Sequence, residues 1–213
     1  MNRITLAVVA VALLSLTALA TSTPARAGEA RTHDGFFLRL APGFGSASAK
    51  IEDSGNSLEF SGSGSAGDLA IGGRVGNNLL LHATLWGWFV SGPKGELSVG
   101  GSGSASADFS GDLMMSAYGG GLTYYLMPSN FYFTGSIGMG TLSSEIEDPF
   151  KGDSDSGFAY TLGVGKEWWA GNSWGLGVAG GISYFSAKNK DIVISDQNWA
   201  GPSYSLSFSA TFN

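Results

Sequence analysis

The stretch SYSLSFSATF, just before the final asparagine, alternates without a break. Tyr204, Leu206, Phe208, Ala210 and Phe212 fall on one parity, with Ser203, Ser205, Ser207, Ser209 and Thr211 on the other. Period two sustained over ten positions predicts a strand, not a helix. A half-buried strand of a soluble protein sets its apolar side on a core and carries polar, often charged, residues on the other. Here the second side holds only small hydroxyl residues. The same pattern returns in EWWAGNSWGLGVAGGISY, where Trp174, Leu176, Val178, Ile182 and Tyr184 oppose Gly175, Gly177, Ala179, Gly181 and Ser183. Six more stretches follow it, beginning near Phe36, Leu69, Leu79, Met114, Phe131 and Phe158.

The connections alternate as well. Short turns are predicted at Gly76-Asn77-Asn78, Pro128-Ser129-Asn130 and Ala170-Gly171-Asn172-Ser173, all made of turn-forming residues. Long polar connections are predicted over residues 46–67, 91–111, 143–156 and 186–201. Eight strands of about ten residues, each long enough to cross hydrocarbon when tilted, joined by three short and four long links, predict one architecture. It is an all-β fold, an eight-stranded antiparallel up-and-down transmembrane β-barrel with both termini at the short-turn end. The apolar parity faces lipid and the small parity lines the lumen. A soluble barrel with an internal ligand cavity is excluded by pattern, because its outer wall needs charge where these strands carry Leu, Phe and Tyr.

The aromatics then have a place. Tyr124, Phe131, Trp168, Trp174 and Phe212 lie on the outward parity beside the short turns. Rings with an apolar face and a polar edge are stable at the headgroup level, so these five are expected to form a girdle. Lys166 shares that parity and is expected to snorkel to the headgroups.

At this point the chain resembles the small eight-stranded outer-membrane proteins of the OmpA/OmpX/OmpW kind. The resemblance covers nearly all of residues 30–213. It rests on GLTYYLMPSNFYF, GVGKEWWAGNSWGLGVAGG and the alternating last strand. It implies a bacterial outer-membrane location with periplasmic termini, and contact with outer-membrane lipid and lipopolysaccharide. It also implies insertion by the barrel assembly machinery, which reads an aromatic residue at the end of the final strand. Here Phe212 stands one place before Asn213.

Composition adds limits. Residues 1–27 combine Arg3, an apolar run and Ala25-Arg26-Ala27, the pattern of a secretory signal peptide, which leaves residues 28–213 as the barrel domain. The net charge is −6 with no basic stripe, which argues against nucleic acid. Cysteine is absent, so neither disulfides nor thiol chemistry is expected.

Four ionisable residues fall on the inward parity: Arg39, Arg74, His82 and Glu167. They are expected to form a charged cluster that narrows the lumen. Its centre is an Arg74–Glu167 pair across the barrel, with Arg39 nearby and Tyr125 or Tyr132 donating hydrogen bonds. Two arginines against one interior glutamate leave a mismatch, so water or a loop acid is needed. Trp86 and Trp88 also fall inward; they either fill the outer half or one is turned to lipid by a bulge near Gly87. The acidic stretch Glu145 to Asp155 lacks the spacing of a calcium loop and reads as solvated. No catalytic residue, metal or cofactor is expected. The expected role is structural or surface-interacting. The alternatives are a narrow porin-like channel for small polar solutes and, last, a lipopolysaccharide-modifying enzyme built on His33 or His82.

Overall fold

The computed structural model describes residues 33, 35–100, 103–189 and 197–213, all within one unit, Thr32–Asn213. The signal-peptide segment lies outside the described residues. The strands, in chain order, are β1 (Phe36–Asp53), β2 (Asn56–Gly76), β3 (Leu79–Ser91), β4 (Lys94–Val99) and β5 (Gly103–Asp108). They continue with β6 (Asp112–Leu126), β7 (Phe131–Ser144), the two-residue β8 (Gly152–Asp153), β9 (Gly157–Trp169), β10 (Trp174–Lys188) and β11 (Asn198–Phe212). Antiparallel pairing runs β1–β2–β3–β6–β7–β9–β10–β11, and β11 returns to β1, with Leu38 opposite Phe212 and Gly43 opposite Ser207. Eight strands therefore close a barrel. Closure leaves no ladder edge within the wall, the condition a sheet must meet in hydrocarbon.

The inside-out pattern is realised in full. Phe44, Ile137, Tyr118, Phe133 and Phe208 are each more than half exposed on the outer wall. Their inward neighbours are small. A Cβ at Gly165 would collide with the ring of Tyr132, and one at Gly175 would stand 2.6 Å from a carboxylate oxygen of Glu167. Bare backbone on one strand makes room for a large lumen side chain from another.

The long connections differ from the sequence expectation. Residues 46–67 are not a loop: β1 runs 18 residues and β2 21, joined at Ser54-Gly55. Both turn residues take positive φ, 48° and 86°, the geometry of a tight hairpin. About 9–11 residues suffice to cross a bilayer, so this hairpin extends well beyond the apolar belt. Residues 91–111 contain the β4–β5 hairpin, which pairs through β4 to the first part of β2. A four-stranded sheet (β1, β2, β4, β5) thus projects from the long-connection end. The expectation missed it because Ser/Gly alternation outside the bilayer carries no hydrophobic signal.

Candidate functional site

The lumen has two unlike halves. At the short-turn end it is polar. Arg39, on β1 and 2% exposed, donates to Asp68 of β2 from Nε at 3.3 Å and from a terminal nitrogen at 3.2 Å. It also donates to Thr123 (3.4 Å) and Thr134 (3.2 Å), and lies 5.2 Å over the ring of Tyr132. Glu167, on β9 and 1% exposed, accepts from Tyr125 (3.2 Å), Ser209 (3.0 Å) and Thr211 (2.7 Å). His82 is held between Thr84 (2.7 Å) and Thr123 (2.9 Å), and Thr84 continues to Ser136. Buried charges persist only when paired or fully hydrogen-bonded, and both Arg39 and Glu167 meet that condition.

The expected Arg74–Glu167 pair does not form. Arg74 has inward parity but sits at the last turn of β2, beside a register shift between Arg74 and Gly76. Its exposed side chain curls onto the turn, donating to the Gly76 carbonyl (3.1 Å) and the Asn77 side chain (3.0 Å). Parity fixes the side of the wall but not the height, and Arg74 stands past the rim. The acid that completes the cluster is Asp68. It shares inward parity with Ala70 and Gly72, a signal that could have found it had residues 46–67 not been read as a loop bordering it.

His33 closes this mouth. Its ring stacks on Tyr125 with centroids 3.4 Å apart, and its nitrogens meet the side-chain amides of Asn130 (2.6 Å) and Asn213 (2.9 Å). In both contacts the amide oxygen faces the ring nitrogen, and among the described residues the two amide NH2 groups have no partner.

Toward the long connections the lumen turns apolar. Trp86 and Trp88 both point inward, each 5% exposed, and the register through Gly87 is unbroken. They join Phe185, Met115, Leu142 and Val90 in one continuous cluster. Above them Phe60, Phe109 and Phe150 meet edge to face in all three pairs, at 5.3–5.7 Å, with Trp199 6.0 Å from Phe60. These four come from β2, the β5–β6 link, the β7–β8 link and β11, so the cap ties the long connections together. Between the halves lies a cavity of about 40 Å³ bordered by Arg39, Asp68, Ser136, Thr161 and Ser205. A second space, about 10 Å³, lies beside Trp199.

On the outer wall Tyr124, Phe131 and Trp168 are 44%, 45% and 58% exposed, while Trp174 packs edge to face on Phe212 at 5.2 Å. All five expected girdle residues lie at the short-turn end. Lys166 stands 4.8 Å over Phe131 and 5.8 Å from Trp168. Among the described residues no cluster of His, Cys, Asp and Glu suits a metal, and no helix is long and apolar enough to cross a membrane, which says nothing of strands.

The fold is a closed eight-stranded antiparallel barrel of the small outer-membrane kind. No protein-family model matches the chain, and no curated protein sequence does. Among solved structures it is similar to neisserial surface protein A, with a TM-score of 0.50 and 15% identity over 84% of this chain and 97% of that one. It is also similar to the outer membrane protein OprG from Pseudomonas aeruginosa, with a TM-score of 0.47 and 15% identity over 87% of this chain and 100% of that one. At such identity the likeness is one of fold.

Proposed function

We propose that this chain is an integral outer-membrane protein whose barrel is a closed anchor for a structured outer surface, not a conduit. One observation carries the reading: the lumen is filled at two levels by different chemistry, a hydrogen-bonded charge cluster at one end and an aromatic plug at the other. The space between, about 40 Å³, is room for a few water molecules but not for a passing solute. In this reading residues 1–27 direct export and the short turns and termini face the periplasm. The apolar belt contacts lipid and lipopolysaccharide, and Phe212 is offered to the assembly machinery. His82 serves as a hydrogen-bonded filler among hydroxyls.

The test is conductance. Purified protein in a planar bilayer is expected to show no steps above baseline, with folding verified by heat-modifiable gel mobility. A steady ohmic conductance from the folded protein would favour the porin-like alternative and remove this reading.

A further inference from the structure

We propose that Lys166 and Trp168, with the apolar dip at Gly180, form a site on the outer wall for one phospholipid of the phosphatidylglycerol class, whose head carries a phosphodiester and no cation. The inference rests on the membrane-anchor reading above and goes beyond it, from lipid as a solvent to one lipid as a ligand.

A charge on the lipid side sets the problem. Among the described residues Lys166 is the one charged side chain that the outward parity places inside the apolar belt. The register puts Phe131 of β7 and Val178 of β10 directly opposite it, and Val164 and Trp168 lie two positions to either side on β9. None of these four is an acid, and the adjacent Glu167 is spent inside the lumen on Tyr125, Ser209 and Thr211. The ammonium instead lies over the rings of Phe131 and Trp168, 4.8 and 5.8 Å from their centroids. Ring faces attract a cation, but they neither neutralise it nor replace an oxygen as acceptor for its three N–H bonds. Lys166 stands three residues from the end of β9, within reach of the headgroups, whose oxygens supply what the wall does not.

Trp168 adds a second donor. Its side chain is 58% exposed, and its indole N–H makes no hydrogen bond among the described residues. An ammonium beside an indole N–H matches a phosphodiester, which offers two free oxygens and one negative charge. A head that also carries an ammonium fits worse, because Lys166 repels it and already occupies the two ring faces. The wall beyond this pair has room for a chain. Gly180 lies two residues deeper than Val178 on β10, opposite Val164 and Leu206. A Cβ there would meet only the Ser205 carbonyl, at 3.9 Å. Val164, Val178, Ile182 and Leu206 around it are each 45–53% exposed, so the glycine floors a shallow apolar dip. Head site and chain site are one diagonal step apart, in the order in which a lipid presents them.

The experiment is native mass spectrometry of the full chain folded in detergent, titrated with phosphatidylglycerol or phosphatidylethanolamine of identical chains. The first phosphatidylglycerol is expected to bind about fivefold more tightly, the preference one lysine gives for an anionic head. Lys166→Gln is expected to abolish that preference and Lys166→Arg to retain it. Lys94→Gln, which removes an exposed cation of the projecting sheet, is expected to leave it unchanged. Trp168→Phe keeps a ring but loses the N–H, and is expected to weaken phosphatidylglycerol about threefold. Gly180→Phe fills the dip and is expected to weaken both lipids alike. Glycerophosphoglycerol, the same head without chains, is not expected to compete. Equal binding of the two lipids, a preference that survives Lys166→Gln or is lost in Lys94→Gln, or competition by the chainless head overturns the proposal. Should Lys166→Gln lose its folded gel mobility, indifference of phosphatidylglycerol binding to both Trp168→Phe and Gly180→Phe overturns it instead. A conducting barrel that keeps the preference loses only the closed-anchor reading, whereas a silent barrel without the preference loses only this inference.

Discussion

The two halves of the lumen solve one packing problem in opposite ways. At the short-turn end, Arg39, Glu167 and His82 fill space with groups that each need a partner, and the partners come from five strands. At the other end Trp86, Trp88, Phe60 and Phe185 fill space by volume alone. The polar half is specified by pairing and the apolar half by shape. The first is therefore intolerant of changed polarity and the second of changed size.

Substitutions can break or sharpen this contrast. The largest effect is expected from Arg39→Met, which keeps length but strands Asp68; breaking a buried pair costs about 3–5 kcal/mol. The check is the midpoint of a urea series read by folded-form gel mobility. Adding Asp68→Leu is expected to recover much of the loss, and failure to recover would mean that Arg39 acts mainly through its threonine and ring contacts. Next, Phe60→Ala removes the ring shared by the three-phenylalanine cap and costs about 3 kcal/mol, whereas the volume-conserving Phe60→Leu costs half of that or less. If the two cost the same, the cap is not governed by shape. Tyr125→Phe deletes one of three donors to Glu167 and is expected to cost about 1.5–3 kcal/mol, the range for a hydrogen bond to a charged group. Ile146→Val, one methyl in the fully buried part of the plug, should cost about 1 kcal/mol by the same assay.

The contrast also explains what the sequence could disclose. Lipid on the outside imposes an apolar residue at every second position, so the strands through Leu79, Phe131 or Phe208 are readable by eye, as are the three short turns. That pressure ends where the bilayer ends. Residues 56–67 alternate Ser, Gly and Glu with only Leu58 and Phe60 to mark a strand, and so pass for a loop. Asp68 stands at the border of that segment, and Phe109, Phe150 and Trp199 of the cap lie wholly within segments whose composition predicts connections. The inward parity of Arg39, His82 and Glu167 was legible because the pleat dictates it. Arg74 shows the limit, since alternation gives direction but not elevation. The partners of Glu167 were half legible: Tyr125 stood out, while Ser209 and Thr211 look like every other hydroxyl of the last strand until the barrel closes.

The contact of His33 with Asn213 joins residues 180 positions apart. The stopper of the mouth therefore draws together a residue from before the first strand and one from after the last. One part precedes β1 and the other follows β11, so the mouth can be sealed only once the last strand has closed the wall against the first. Latch and wall are therefore separable, and Asn213→Ala should still form its wall while leaving this door unlatched.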